Sequence, residues 1–121
     1  MPKSILTVDD SRTIRDMVSF TLKNAGYVVT EAPDGAAGAA MVAKQKFDAI
    51  ITDLNMPGMD GLALIRTIRA SVLNRATPVL MLTTESDQTK KDQGRAAGAT
   101  GWIVKPFSPD KLVATVQKVC P

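Results

Sequence analysis

The sequence predicts an α/β sandwich: a doubly wound, five-stranded parallel sheet with five helices. Three observations carry that prediction. Short apolar segments of strand length recur along the chain, and segments with helical spacing alternate with them. The stretches "AIIT" and "PVLML" are apolar without alternation, as strands covered on both faces must be. The connections are long enough for right-handed crossover helices, which place helices on both sides of the sheet.

The five strands are read at Ser4–Val8, Tyr27–Glu31, Asp48–Thr52, Pro78–Leu82 and Gly101–Val104. Ser11 opens the first helical pattern, in which Ile14, Met17, Val18, Leu22 and Ala25 form one stripe and Gly26 stands where a glycine closes a helix. Asp34 caps a second, alanine-rich helix that runs to Lys44. The third spans Gly61–Ala70, with Leu62, Ile65 and Ile68 facing inward, and the fourth spans Asp87–Ala97. The last is capped by Ser108 with Pro109 in its first turn and turns Leu112, Val116 and Val119 inward.

At 121 residues and 45% hydrophobic, the chain reads as one compact domain, 1–121, with no linker or low-complexity tail. No apolar run approaches the roughly 18 residues of a membrane span, and the first residues lack a secretory signal. A single Cys excludes an internal disulfide, so a reducing cytoplasm is the expected location. The absence of His argues against a His-based zinc site and against a phosphohistidine on this chain. The net charge is only +3, its lysines and arginines are scattered, and the aromatic residues are too few to stack bases. A nucleic-acid partner is therefore not expected.

The chemistry lies at the strand exits. The first strand ends in Asp9-Asp10 and the third in Asp53. Open α/β sheets bind ligands beyond the carboxyl ends of their strands, where the strand order reverses. In the order 2-1-3-4-5, strands one and three are neighbours at that point, which brings the three aspartates into one pocket. Crowded carboxylates raise one another's pKa values and cost stability, and a hard divalent cation with oxygen ligands, Mg²⁺, resolves the conflict. Lys105, in "GWIVKPF", leaves the fifth strand at the same end, and Thr83 ends the fourth with a hydroxyl. One Mg²⁺ and one lysine formally balance the aspartates. A phosphoryl group could then sit against metal, ammonium and hydroxyl, with a carboxylate as nucleophile. Taken singly, each residue also has an ordinary reading: cap, turn residue or solvated strand end. Their coincidence at four strand ends favours a joint site.

"VDD", "DLNMPGMDG", "LTT" and "GWIVKPF" together resemble the receiver domain of two-component response regulators, along essentially the whole chain. Among these the chain looks most like the single-domain, CheY-like chemotaxis regulators, whose fold is flavodoxin-like. The resemblance implies that Asp53 accepts the phosphoryl group from a phosphohistidine on a CheA-like sensor histidine kinase. It implies that Asp10, Asp53 and the Asn55 carbonyl bind Mg²⁺ directly, and that Asp9 acts through a metal-bound water. Lys105 would pair with the carboxylate and then with a phosphoryl oxygen, and Thr83 would donate its hydroxyl to another. Asn55 and Glu85 would tune hydrolysis towards a short-lived mark. The Lys105-Pro106 bond resembles the family's cis peptide, while trans is the commoner form of such bonds generally.

By the same resemblance, the fourth helix, fifth strand and fifth helix form the output face, with Lys90, Lys91, Arg95 and Trp102 exposed on it. Trp102 stands where the family usually has Tyr or Phe; it would turn inward on activation or stay outside as a docking anchor. Few large apolar residues and an internal Gly94 predict that the fourth helix is weakly held. The implied partners are the kinase, the flagellar motor switch protein and a phosphatase, with the chain acting as a monomer and not as an enzyme in its own right. Three alternatives stand beside this reading. They are a phosphate sink or relay intermediate, a Mg²⁺-dependent phosphohydrolase with an Asp nucleophile, and a flavodoxin-like cofactor carrier. The second lacks an acid/base carboxylate two residues past Asp53, where Asn55 stands, and the third lacks a phosphate cradle after the first strand.

Overall fold

A computed structural model describes residues 2–84 and 88–121. The order along the chain is β1 (Ser4–Val8), α1 (Arg12–Asn24), β2 (Val28–Ala32), α2 (Gly35–Lys44), β3 (Ala49–Asp53), α3 (Gly61–Ala70), β4 (Val79–Thr83), α4 (Gln88–Ala97), β5 (Gly101–Val104) and α5 (Pro109–Val119). The strands form one parallel sheet in the order β2-β1-β3-β4-β5. The doubly wound architecture is the one read from the sequence, and the strand order is the 2-1-3-4-5 of flavodoxin-like folds.

Alternate side chains of each central strand enter opposite layers. Leu6, Val8, Ile50, Val79 and Met81 join Val42, Leu64, Ile65 and Ile68 on the side of α2, α3 and α4. Ile5, Ala49, Ile51, Leu80 and Leu82 meet Val18, Leu22, Leu112 and Val116 from α1 and α5 on the other side. This division follows from the order. The chain leaves β1 towards one edge to make β2, then returns past β1 and proceeds to the other edge. With one crossover hand, that reversal puts α1 on one face and α2, α3 and α4 on the other.

Local chemistry sets the element ends. Ser11, Asp34, Asp60 and Ser108 each accept the amide three residues on, at 2.8–3.3 Å, and so satisfy an unpaired donor of the first turn. Gly26 (φ 97°) closes α1. Its amide donates to the Lys23 carbonyl while that of Tyr27 donates to Leu22, the paired bonds of a Schellman end. That bond commits Tyr27 to the helix end, so β2 starts at Val28 and not at Tyr27. Pro78 has no amide to give to the ladder, and β4 correspondingly starts at Val79. Asp48 precedes β3, its carboxylate accepting the Ser4 amide at 2.7 Å, and Asp53 lies inside that strand as its last residue. Met17, expected in the buried stripe of α1, is exposed beside an exposed Phe20.

The end of the sheet opposite the carboxylates is closed by a buried asparagine. Asn74 donates from Nδ2 to the carbonyls of Val42 and Gln45, both at 2.8 Å, and its Oδ1 accepts the Phe47 amide at 2.9 Å and the Thr77 hydroxyl at 3.0 Å. Arg69 adds bonds to the carbonyls of Gly98, Arg75 and Thr77. Asn74→Ala leaves the buried Phe47 amide without its acceptor and takes one donor each from the Val42 and Gln45 carbonyls. It is expected to cost about 2–3 kcal/mol in urea unfolding, whereas loss of an exposed asparagine would barely register.

Candidate functional site

The register places the acidic residues. Val8 pairs with Thr52, so one step further along the two strands Asp9 and Asp53 stand side by side. Asp53 itself pairs with Leu82, and Thr83 with Val104, after which Lys105 follows; its amide donates to the Thr83 carbonyl at 2.8 Å. One oxygen from each of Asp9, Asp10 and Asp53 can be chosen so that all lie within 4.8 Å of one another. Asp9 is 0% and Asp53 only 6% exposed, while Asp10 is exposed. Lys105 Nζ bridges the buried pair, 3.3 Å from Asp53 Oδ1 and 3.6 Å from Asp9 Oδ2. The Lys105-Pro106 peptide is cis.

Each carboxylate is only partly satisfied. Asp9 Oδ1 accepts the Ser11 amide at 2.9 Å, but Oδ2 is buried without a hydrogen bond. Asp53 Oδ1 takes both the Leu54 amide at 2.9 Å and Lys105, and its Oδ2 has no hydrogen bond among the described residues. A buried acceptor left unpaired is costly, and acceptor oxygens alone, two of them on buried groups, are what a hard cation takes. The residues therefore fit a divalent metal such as Mg²⁺.

Asp53 has its pKa pushed up. Burial is the largest cause and the Asp9 charge the second, and together they outweigh the opposing pull of Lys105 and of the Leu54 amide. Its ionised form therefore strains the metal-free fold. A raised folded-state pKa gives stability that is present below the free-carboxyl value, near 4, and is lost as pH climbs through the raised one.

The backbone beneath Asp53 is fixed by contact. A Cβ on Gly61, the first residue of α3, would collide with the Asp53 carbonyl oxygen and lie 2.8 Å from Leu54 Cα, while the Gly61 amide donates to Leu54 at 3.0 Å. Only glycine lets the helix start against the residue that carries the carboxylate. This gives the last residue of "DLNMPGMDG" a steric reason.

The other expected positions separate into two places. Thr83 is buried as the last residue of β4, and Asn55 lies exposed two residues beyond β3. Glu85 lies outside the described residues. Trp102 pairs with Met81, two residues back from the strand end, and so belongs to the α4 side. Of the four residues expected to be exposed there, Arg95 is; Lys90, Lys91 and Trp102 are half-buried. Lys91 and Trp102 cover each other by stacking: Lys91 Nζ is 4.9 Å and the Arg95 guanidinium 5.3 Å from the centre of the Trp102 ring. Gly94 is buried, and a Cβ there would collide with the Met81 thioether, so it is the point where α4 closes onto the sheet.

Sequence reasoning missed Arg15. It lies in the first turn of α1, donates from Nη1 to the Asp9 carbonyl at 2.8 Å and pairs through Nε with Glu31 Oε1 at 3.3 Å. Its only signal in the sequence was its position one turn after the Ser11 cap, a place where a solvated arginine is unremarkable.

The chain belongs to the response regulator receiver domain family, whose model matches residues 5–117. Receiver domains are signalling modules phosphorylated by sensor histidine kinases, and they are generally not classed as enzymes. The chain is 38% identical to the Pseudomonas aeruginosa chemotaxis protein CheY over 116 residues, covering 95% of this chain and 94% of that protein. It is also 38% identical to the phosphate regulon transcriptional regulatory protein PhoB of the same organism, over 97% of this chain, which spans only 51% of that regulator's length. Among solved structures, Vibrio cholerae CheY4 is similar with a TM-score of 0.95 and 49% identity, covering 98% of this chain and 99% of that one. The receiver domain of a P. aeruginosa sensor histidine kinase, with a magnesium ion coordinated in its active site cleft, has a TM-score of 0.92 at 29% identity, covering 99% and 98%.

Two outcomes follow for the site itself. Asp53→Asn, which keeps the shape and removes the charge, is expected to raise the metal-free urea midpoint at pH 7, and that gain should shrink as pH falls towards 4. Gly61→Ala is expected to cost about 1–3 kcal/mol, because helix or strand backbone must move to admit one methyl group.

Proposed function

We propose that the chain is a phosphorylation-activated switch that accepts a phosphoryl group on Asp53 and signals through the α4-β5-α5 face. The observation that supports it best is the buried Asp9–Asp53 pair bridged by Lys105, with Asp10 within ligand reach. Asp10, Asp53 and the Asn55 carbonyl would hold Mg²⁺ directly, and Asp9 would hold it through water. When bound there, the metal would supply charge neutralisation for the oxygens in transfer. The Asp53 carboxylate attacks the phosphorus of a kinase phosphohistidine. The new P–O bond forms as the P–N bond breaks, and the electron pair leaves with the imidazole, which takes up a proton. Lys105 is already beside Asp53 Oδ1, and can follow the negative charge from carboxylate to phosphoryl oxygen. Thr83 adds a hydroxyl from the adjacent strand end, and Asn55 borders the site where water must approach for hydrolysis.

The chemotaxis circuit is the setting we propose, with a CheA-like kinase as donor and the flagellar motor switch protein as receiver of the signal. Similarity to chemotaxis regulators, 38% to CheY and 49% to CheY4, supports that choice, beside an equal 38% to PhoB. The stacked Lys91, Arg95 and Trp102 supply the output face with a basic, aromatic patch suited to an acidic partner surface.

Incubation with an acyl phosphate donor and Mg²⁺ tests the reading. The wild type is expected to gain one base-labile phosphate and to change its Trp102 fluorescence, both abolished by Asp53→Asn and by chelation. Lys105→Ala is expected to lose the fluorescence response whether or not it takes up phosphate. Labelling of Asp53→Asn at the wild-type level would exclude Asp53 as acceptor.

A further inference from the structure

Asp10 is the exposed member of the acidic cluster, and no side-chain hydrogen bond or ion pair among the described residues aims it. Its direction is set by its backbone, and that backbone is held from the other side of one peptide plane. The Asp9 amide donates to the Ala32 carbonyl at 3.2 Å and its carboxylate accepts the Ser11 amide. Its carbonyl, the oxygen of the Asp9–Asp10 peptide, accepts Arg15 Nη1 at 2.8 Å. Because that peptide is planar, fixing its oxygen fixes the Asp10 N–Cα bond, and the Ser11 amide, held on Asp9 Oδ1, fixes the peptide that follows, so the Asp10 Cα–Cβ direction is set from both sides.

Arg15 is itself held. Its Nε pairs with Glu31 of β2, and the two side chains are only 16% and 33% exposed. A bare guanidinium so close to the cluster would repel a divalent cation. Glu31 cancels that charge while orienting the fork, and leaves the hydrogen bond to Asp9 in place.

We propose that Arg15, oriented and neutralised by Glu31, is a positioning residue that aims Asp10 at the metal through the Asp9–Asp10 peptide. This rests on the reading of the cluster as a Mg²⁺ site. Charge and positioning make opposite predictions for Arg15→Met. Removing a cation and releasing Glu31 makes the neighbourhood more negative, which by Coulomb's law alone would tighten Mg²⁺ binding. Losing the aim of a ligand weakens it, and partners that orient metal ligands are typically worth about 10–100-fold in affinity.

Calorimetric titration of the folded proteins with MgCl₂, at a temperature well below each unfolding midpoint, reads the difference without any phosphorylation step. Arg15→Met is expected to bind Mg²⁺ at least about tenfold more weakly than wild type. A dissociation constant within twofold of wild type, or a tighter one, overturns the proposal, since a brace between α1 and β2 would shift the unfolding midpoint alone. Should Arg15→Met fail to fold, Arg15→Lys decides: it keeps the charge but cannot span both the Asp9 and Glu31 oxygens. Its affinity is expected to fall about threefold or more, and an unchanged value overturns the proposal. A wild type that takes up no Mg²⁺ sinks the metal-site reading itself, an outcome distinct from a wild type that binds while the variants bind equally well.

Discussion

Repulsion between Asp9 and Asp53 is the constraint around which the rest of this structure is arranged. Two carboxylates are carried out of adjacent strands into a site with little water, and a single ammonium sits between them. The β1–β3 register makes the encounter unavoidable, and two apolar layers hold that register. A one-residue slip would turn every core side chain of a strand to the wrong face. The hydrophobic effect, which is large and non-directional, thus holds in place an electrostatic arrangement that would not persist alone. Such stored conflict is common where chemistry must occur, because a ligand that relieves it gains affinity from the relief.

How much was legible in advance depended on the range of the cause. The sandwich followed from local patterning, as the runs around Ile50 and Leu80 are too apolar for half-exposed strands. The carboxylate cluster followed as well, since topology converts positions at strand ends into neighbours. Strand starts were misread by one residue where local chemistry competed with the ladder: the Tyr27 amide is claimed by the end of α1, and Pro78 has no amide to give. Arg15 and Asn74 were invisible for a different reason. Their partners are main-chain groups, Asp9 and Phe47 among them, and a carbonyl or amide leaves no letter in the sequence. Gly94 has a packing role that its letter did not show. Helix propensity speaks to the isolated helix, but here the missing side chain makes room for Met81.

Trp102 carries a related lesson. An aromatic residue on β5 next to a helix rich in basic residues looked like an exposed anchor. The ring is instead held between sheet and helix by two cations one helical turn apart. Like charges at that spacing repel each other, and a shared π face is one of the few arrangements that makes their proximity favourable. The face is thereby ordered by the ring, and any change in the ring's pose redistributes two charges at once.

The asparagine knot gives the sheet unequal ends. All four hydrogen-bonding valences of Asn74 are filled, largely by backbone, so the asparagine has no polar group left over. The opposite edge keeps unspent oxygens. Mechanically, the sandwich is clamped at its asparagine end, so the acidic end is the one where a bound ion changes the balance of forces.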